Sequence, residues 1–331
     1  MSAKEINSNS PQFREGSFRN FSVTPMLATD ASYFTVIIDS LRRPRTAKPS
    51  APIASVKTDL LTLHTPEPAI VWFGHSSYLI STDEINILVD PVFSGHASPL
   101  PFLVKAFPGS DVYHPEDMPP IDLLIITHNH YDHLDTRTVS LLAPRIKKCI
   151  APLGVSGTLA NCGIPKERIS EMDWWQEQEF EDISIVATPA RHFSGRGLKR
   201  GGSLWCSFAV TVAGYKIFVG GDSGYDGHFA ETGKRFGFFD LAILECGQYS
   251  KYWPFIHMMP EETVQAAIDL NAKCLLPVHW GKFALANHPW TDPVEKLVTS
   301  AAEKGMKITT PMIGEPVILD KKYPSSHWWK D

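Results

Sequence analysis

The sequence predicts an α/β protein made of layered β-sheets with helices covering them. Two patterns carry that prediction. From residue 69 onward, short β-branched runs alternate with turn signals. Between them, apolar residues recur at helical spacing. The composition agrees: 331 residues, 43% hydrophobic and 20% charged, suit a globular chain with room for one large domain.

Taken in order, residues 1–20 form a polar start that is expected to be mobile. A helix is expected over 30–41, where Phe34, Ile37, Ile38 and Leu41 share a face, Asp30 or Ser32 offers an N-cap, and Pro44 stops the run. Residues 44–68 contain Pro44, Pro49, Pro52, Pro66 and Pro68, and read as an extended connector that wraps the main body. Residues 1–68 are therefore taken as an N-terminal extension and residues 69–331 as the main domain. Strands are expected over 70–72, 77–80, 85–89, 123–127, 148–151, 183–187, 205–212, 216–219, 241–244 and 274–278. Helices are expected over 136–142, 155–161, 260–271 and 293–304. The third of these has Pro260 in its first turn, with Glu261 and Glu262 on the positive end of its dipole.

A net charge of −5 argues against a nucleic-acid partner, which calls for a basic excess. Cys149, Cys162, Cys206, Cys246 and Cys274 are scattered, with no C-x-x-C pair, and read as buried free thiols. No apolar run approaches the roughly 20 residues of a membrane span. No apolar signal segment follows the first methionine. The expected location is cytoplasmic, with room for peripheral contact with a membrane and for self-association.

The chemistry concentrates at Thr127-His128-Asn129-His130-Tyr131-Asp132-His133-Leu134-Asp135, directly after the apolar run IDLLIIT. Residues two apart in extended backbone point the same way, so His128 and His130 can grip one ion. The chain then turns, and Asp132 with His133 can face a second ion. Asp135 suits the cap of the next helix. Polar ligands crowded beside a buried strand are costly without a purpose. His192 follows ISIVATP, Asp222 follows KIFVGG, and His279 follows CLLPV, each where a strand gives way to a loop. The set divides into His128, His130 and His192 on one ion, Asp132, His133 and His279 on the other, and Asp222 between them. Imidazole and carboxylate suit two divalent metals, zinc first, with manganese or iron also compatible.

HxHxDH with a later His, Asp and His resembles the metallo-β-lactamase superfamily. Longer segments, THNHYDHLD at 127–135, GDSGYDGHFAETGKRFGFFDLAILECGQY at 221–249 and HWGKFALANHPWTDPVEKL at 279–297, resemble its N-acyl-phosphatidylethanolamine-hydrolysing phospholipase D branch. Trp72 to Ser77 and Asp90 to Ser94 match that branch's opening strands. The likeness covers residues 69 to 320, and bacterial relatives include a lactonase of phosphorylated ascorbate. It implies a four-layer αββα sandwich and a binuclear hydrolase. Glu245 departs from the pattern, standing where an apolar residue or proline is expected.

Two ions about 3.5–4 Å apart lower the pKa of a shared water toward ~7, so the expected nucleophile is a bridging hydroxide that Asp132 can orient. The resemblance puts His257 near the substrate, where it can serve as general acid or substrate contact; the residues alone allow a surface or capping role equally. His75 reads as a structural hydrogen-bonding group in preference to a substrate contact. Arg191, Arg196, Lys199 and Arg200 surround His192 in a segment with two glycines, either receiving an anionic group or forming a solvated loop. The aromatic-rich stretch 249–255 can line a pocket, touch lipid or simply pack. Three functions follow: a phosphodiesterase of phospholipase D type acting on an anionic small molecule or lipid, a metal-dependent lactonase of a phosphorylated sugar acid, and a nuclease or nucleic-acid-binding protein on the same fold.

Overall fold

The computed structural model describes residues 9–197 and 200–330; residues 1–8 of the expected mobile start, Leu198, Lys199 and Asp331 lie outside the described residues. A hairpin of β1 (Phe13–Arg14) and β2 (Ser17–Phe18) comes first, followed by α1 (Tyr33–Leu41). One sheet begins with β3 (Ala69–Trp72), β4 (Tyr78–Ser81), β5 (Asn86–Val89) and β6 (Ile121–Ile125). It continues through α2 (Thr136–Leu142), β7 (Ile146–Pro152), α3 (Ser156–Asn161) and β8 (Ile169–Met172). A second sheet takes β9 (Glu177–Phe180), β10 (Ile183–Thr188), β11 (Ser207–Val212) and β12 (Tyr215–Val219). Then come α4 (His228–Phe236), β13 (Leu241–Glu245), α5 (Pro260–Asp269), β14 (Leu275–Val278), α6 (Asp292–Lys304) and β15 (Pro316–Ile318). The first sheet has the order β15-β3-β4-β5-β6-β7-β8, and the second β14-β13-β12-β11-β10-β9.

Alternation along the strands sets the layers. Tyr78, Ile80, Ile87 and Val89 face a core shared with Ile185, Phe208, Ile217 and Ile243 of the other sheet. Their neighbours Leu79 and Leu88 face a separate core with Val139 and Leu142 of α2 and Leu159 of α3. β6 is buried on both faces, which explains its apolar run from Leu123 onward. α5 and α6 cover the second sheet with Val264, Ala267, Val294 and Leu297. The result is the αββα sandwich that the resemblance implies.

The expected strands and helices all form, with ends that move by three residues or fewer. Ser32, the second of the two candidate caps, accepts from the Thr35 amide at 3.1 Å and starts α1. Three strands of the two large sheets were not expected: β8, β9 and β15. All three are sheet edges. An edge strand pairs on one side only, so it tolerates sequences such as ISEM and EQEF that lack an apolar face. α4 was also unexpected, because Gly233 interrupts its sequence. That glycine is required: a Cβ there would sit 2.0 Å from the Asp269 carbonyl oxygen in α5.

The expectation of a mobile start reaching residue 20 is corrected. Phe18 is buried against the Phe13 ring, and its amide bonds the Gly201 carbonyl at 2.9 Å. Two aromatic anchors suffice to seat an otherwise polar hairpin. In the proline-rich segment the amides of Ile53 and Val56 bond the carbonyls of Pro108 and Ile313, both at 2.8 Å. All five cysteines are free and buried. No helix among the described residues is long and apolar enough to cross a membrane.

Candidate metal centre

β6 delivers the histidine motif to the edge of the sandwich, and a tight turn then bends it. The amides of His133 and Leu134 both reach back to the His130 carbonyl, at 3.2 and 2.8 Å. Asp135 ends the turn by capping α2, accepting from the Arg137 amide at 3.1 Å and from Thr138 Oγ1 at 2.5 Å. The turn therefore has little freedom, and its four donors point at one region. His192 arrives after β10, Asp222 after β12 and His279 after β14.

Two groups of donors form. His128, His130, His192 and Asp222 bring one ligand atom each within 4.8 Å of one another, and His75, Asp132, His133 and His279 do the same. In the first group His130 Nδ1 lies 2.8 Å from His128 Nε2 and 3.2 Å from His192 Nε2. Asp222 Oδ2 stands 3.8 and 3.7 Å from those same Nε2 atoms. Its other oxygen faces the second group, 3.1 Å from His133 Nε2 and 3.2 Å from His279 Nδ1. Asp222 thus straddles the two groups, and all seven expected residues come together. Asp222, Glu245, His257 and His279 make a third, overlapping gathering.

The donor atoms suit a cation. Asp222 Oδ1, His133 Nε2 and His279 Nε2 are buried without a hydrogen-bond partner. Groups in that state are expensive unless something else satisfies them, and a divalent ion would. Burial holds His128, His192 and His279 well below the usual imidazole range and His130 down to about 3, so all four are neutral and offer lone pairs. Burial also works against charge on His133, but Asp222, Asp132 and Asp90 outweigh it and raise that group well above its ordinary value. Burial pushes Asp222 up to about 6. For Asp132 the nearby His133 and His75 overcome burial and hold the carboxyl well below its usual range.

A surrounding set of hydrogen bonds aims these ligands. Asp90 Oδ2 accepts from His133 Nδ1 at 2.7 Å, while its other oxygen accepts from the Thr127 amide at 2.8 Å. His192 Nδ1 faces the Ile256 carbonyl at 2.8 Å. Ser76 Oγ meets His279 Nδ1 at 2.9 Å, and His75 Nε2 meets Asp132 Oδ2 at 3.0 Å. His75 and His279 both have left-handed backbones, with φ of 53° and 67°. Each costs conformational energy, which the reciprocal backbone bonds of their loops offset: His279 N to His75 O at 2.8 Å and His75 N to Trp280 O at 2.9 Å.

Sequence reasoning missed Asp90, Ser76 and Asn20 as participants, and marked Glu245 as a departure from the pattern without giving it a partner. Asp90 carried a readable signal, an acid at the end of an apolar strand like Asp222. Asn20 carried none: its side chain clamps the backbone of His192, bonding O at 2.8 Å and N at 3.1 Å across 172 positions. Glu245 accepts from His257 Nδ1 at 2.6 Å.

A cavity of about 270 Å³ opens above the centre. His130, Asp132, His192, Asp222 and His257 form its polar floor. Met26, Leu27, Val36, Trp253, Ile256 and Leu285 give it an apolar wall, and Tyr33 and Arg200 also face it. The basic segment around His192 is divided in its duties. Arg191 is tied to Thr24, Val23 and Tyr225, and Arg196 to the carbonyls of Asn129 and Leu134. Arg200 packs on Phe193 and reaches Tyr33 Oη at 3.2 Å, with its charge at the cavity. Lys199 lies outside the described residues. Of the aromatic stretch, Trp253 lines the cavity while Tyr249 bonds Asp292.

A family model described as the beta-lactamase superfamily domain matches residues 85–280. An uncharacterized protein of Mycobacterium tuberculosis is 36% identical over 339 residues, spanning 99% of this chain and 90% of its own. The N-acyl-phosphatidylethanolamine-hydrolyzing phospholipase D 1 of Caenorhabditis elegans is 31% identical over 247 residues, 68% of this chain and 67% of that protein. A solved metallo hydrolase of the archaeon Ignicoccus hospitalis superposes with a TM-score of 0.58 at 19% identity, over 77% of this chain and 99% of that one. That last likeness speaks to the fold alone.

Proposed function

The chain belongs to the beta-lactamase superfamily as a metal-dependent hydrolase, and from that premise we propose that it cleaves a phosphodiester in the manner of a phospholipase D. The observation that carries this reading is the cavity itself. A floor of candidate metal-ligand side chains, the Arg200 cation at the edge and an apolar wall suit a substrate that is anionic at the reacting end and greasy beyond it. A small phosphorylated lactone would use the floor and the cation but leave the wall bare. The C. elegans relative, by its name, hydrolyses a lipid of the favoured kind.

In this proposal His128, His130 and His192 hold one divalent ion, Asp132, His133 and His279 a second, and Asp222 lies between them. Zinc is the first choice for so imidazole-rich a set. When bound, such a pair supplies Lewis-acid polarisation of the phosphoryl oxygens and a water of lowered pKa. The remaining work falls to the chain. His133, His279 and His192 keep their geometry through Asp90, Ser76 and the Ile256 carbonyl. Asp132, held by His75, orients the attacking water. Arg200 meets the anionic group at the cavity edge. His257 faces the leaving oxygen and gives it a proton.

The test is a substrate panel with the zinc-loaded protein. An N-acylated ethanolamine phospholipid is expected to yield phosphatidic acid and the N-acylethanolamine. A phosphorylated lactone is expected to be turned over poorly. Turnover of the lactone alone would overturn the phosphodiester reading in favour of lactonase chemistry, and tight, salt-sensitive binding of RNA would favour the nucleic-acid reading.

A further inference from the structure

Glu245 is the last residue of β13, and its side chain is fully buried beside the proposed reaction site. A carboxylate in that position costs several kcal/mol unless its oxygens are satisfied. Here they are. Oε1 accepts from the backbone amides of Ser223 and Met258 at 3.0 and 3.3 Å, and Oε2 lies 2.6 Å from His257 Nδ1. Glu245 is also tied down through its own carbonyl, which accepts from Thr263 Oγ1 at 2.8 Å. Its carboxylate is held by three contacts, and among the described residues the side chain that this carboxylate bonds is His257.

His257 is held by that contact in the cavity floor, with its ring 5.2 Å from the rings of both His192 and His279. Burial raises the Glu245 carboxyl, while the amides of Ser223 and Met258 favour its ionised form. Ionised, it only accepts hydrogen bonds, and the contact then places the proton on Nδ1. Nε2 is then the nitrogen left for the cavity. We propose that Glu245 is a positioning residue: by taking the Nδ1–H of His257 it sets the tautomer and rotation of that ring and aims Nε2 at the leaving oxygen. The inference rests on the hydrolytic reading above and on His257 as its proton donor. In the step served, the oxygen of water forms the new bond to phosphorus and the bond to the leaving oxygen breaks. The proton that water gives up passes to Nε2 and from there to the leaving oxygen. The Nδ1 proton stays in the contact with Glu245 throughout.

Glu245→Gln keeps the shape and removes the charge. On a dialkyl phosphodiester, whose leaving oxygen needs a proton, it should lower kcat roughly 10–100-fold with KM changed less than about threefold. On a nitrophenyl phosphodiester, whose leaving group departs unaided, kcat should change less than about threefold. His257→Ala should show the same split, and adding Glu245→Gln to it should cost nothing more. Metal content should be unchanged. An equal loss on both diesters would overturn the proposal, and so would the loss of a metal equivalent, which would make Glu245 a ligand. A readout that needs no turnover is the nitrogen spectrum of the zinc-loaded protein with labelled histidine, the His257 signals being identified by their absence in His257→Ala. A proton on Nδ1 is expected in the wild type and should be lost or exchange-broadened in Glu245→Gln. An unprotonated Nδ1 in the wild type overturns the proposal whatever the substrate. A wild type inert to both diesters sinks the phosphodiester reading instead, and the spectrum still judges Glu245.

Discussion

Asp222 joins the two halves of the centre because its two oxygens face different sets of imidazoles, Oδ2 toward His128 and His192 and Oδ1 toward His133 and His279. Asp222→Ala should therefore cost at least one ion and lower hydrolysis by ~100-fold or more. Elemental analysis by plasma mass spectrometry reads this directly, and two retained equivalents would show that the bridge lies elsewhere. A second prediction at this scale concerns His228, which stands at the start of α4 with its Nε2 3.3 Å from Ser223 Oγ. Burial lowers its pKa to about 4. Above pH ~6.5 it is neutral in both folded and unfolded chains and contributes no pH dependence. As pH falls from ~6.5 toward ~4, the unfolded chain takes up a proton that the folded one refuses, so stability is lost. Between about pH 7.5 and about pH 5.5 the wild type should lose about 1–1.5 kcal/mol more than His228→Gln. Urea unfolding of both proteins at the two pH values measures the difference. Identical slopes would mean that His228 is protonated in the fold.

The elements were legible wherever both faces or a full stripe are buried. β6 and β13 read as apolar runs because water reaches neither face. β8, β9 and β15 escaped because an edge strand is held mainly by backbone bonds to one neighbour, which leave no mark in side-chain chemistry. α4 escaped because its central glycine, a poor helix former, is demanded by the approach of α5. Gly233→Val should therefore destabilise the fold by about 1–3 kcal/mol, since the new side chain has to push α4 off the Asp269 carbonyl. A shift of the urea midpoint at constant slope measures it. An unchanged midpoint would mean that the two helices can separate freely.

For the whole molecule, the centre lies at one edge of the sandwich, where four separate strand ends meet, and it brings its own stability consequence. Neutral imidazoles and carboxylates are gathered there with buried atoms lacking partners. Ions that bind only the folded chain stabilise it by mass action. Dialysis against a chelator should abolish hydrolysis and lower the melting temperature by several degrees, and adding zinc back should restore both. A melting temperature indifferent to both treatments would mean that the gathered side chains satisfy one another without metal. α1 adds a second global feature. Val36 and Tyr33 wall the cavity while Phe34, Ile37 and Leu41 are exposed, so the N-terminal extension takes part in the site.

The sandwich and the candidate ligand set were readable from local sequence. Strand periodicity reflects local burial, and HxHxDH places its donors within a few residues of one another, so both are written in short stretches of chain. His192, Asp222 and His279 were legible for the same reason, each being a ligand type at the end of an apolar strand. What supports them came from packing alone: Asp90 under His133, Asn20 clamping His192, and Glu245 against His257. An isolated Asp, Asn or Glu has the same local sequence whether it is solvated or buried on a partner. Which of the two occurs depends on strand order and register, and those are settled by packing between residues far apart in the chain.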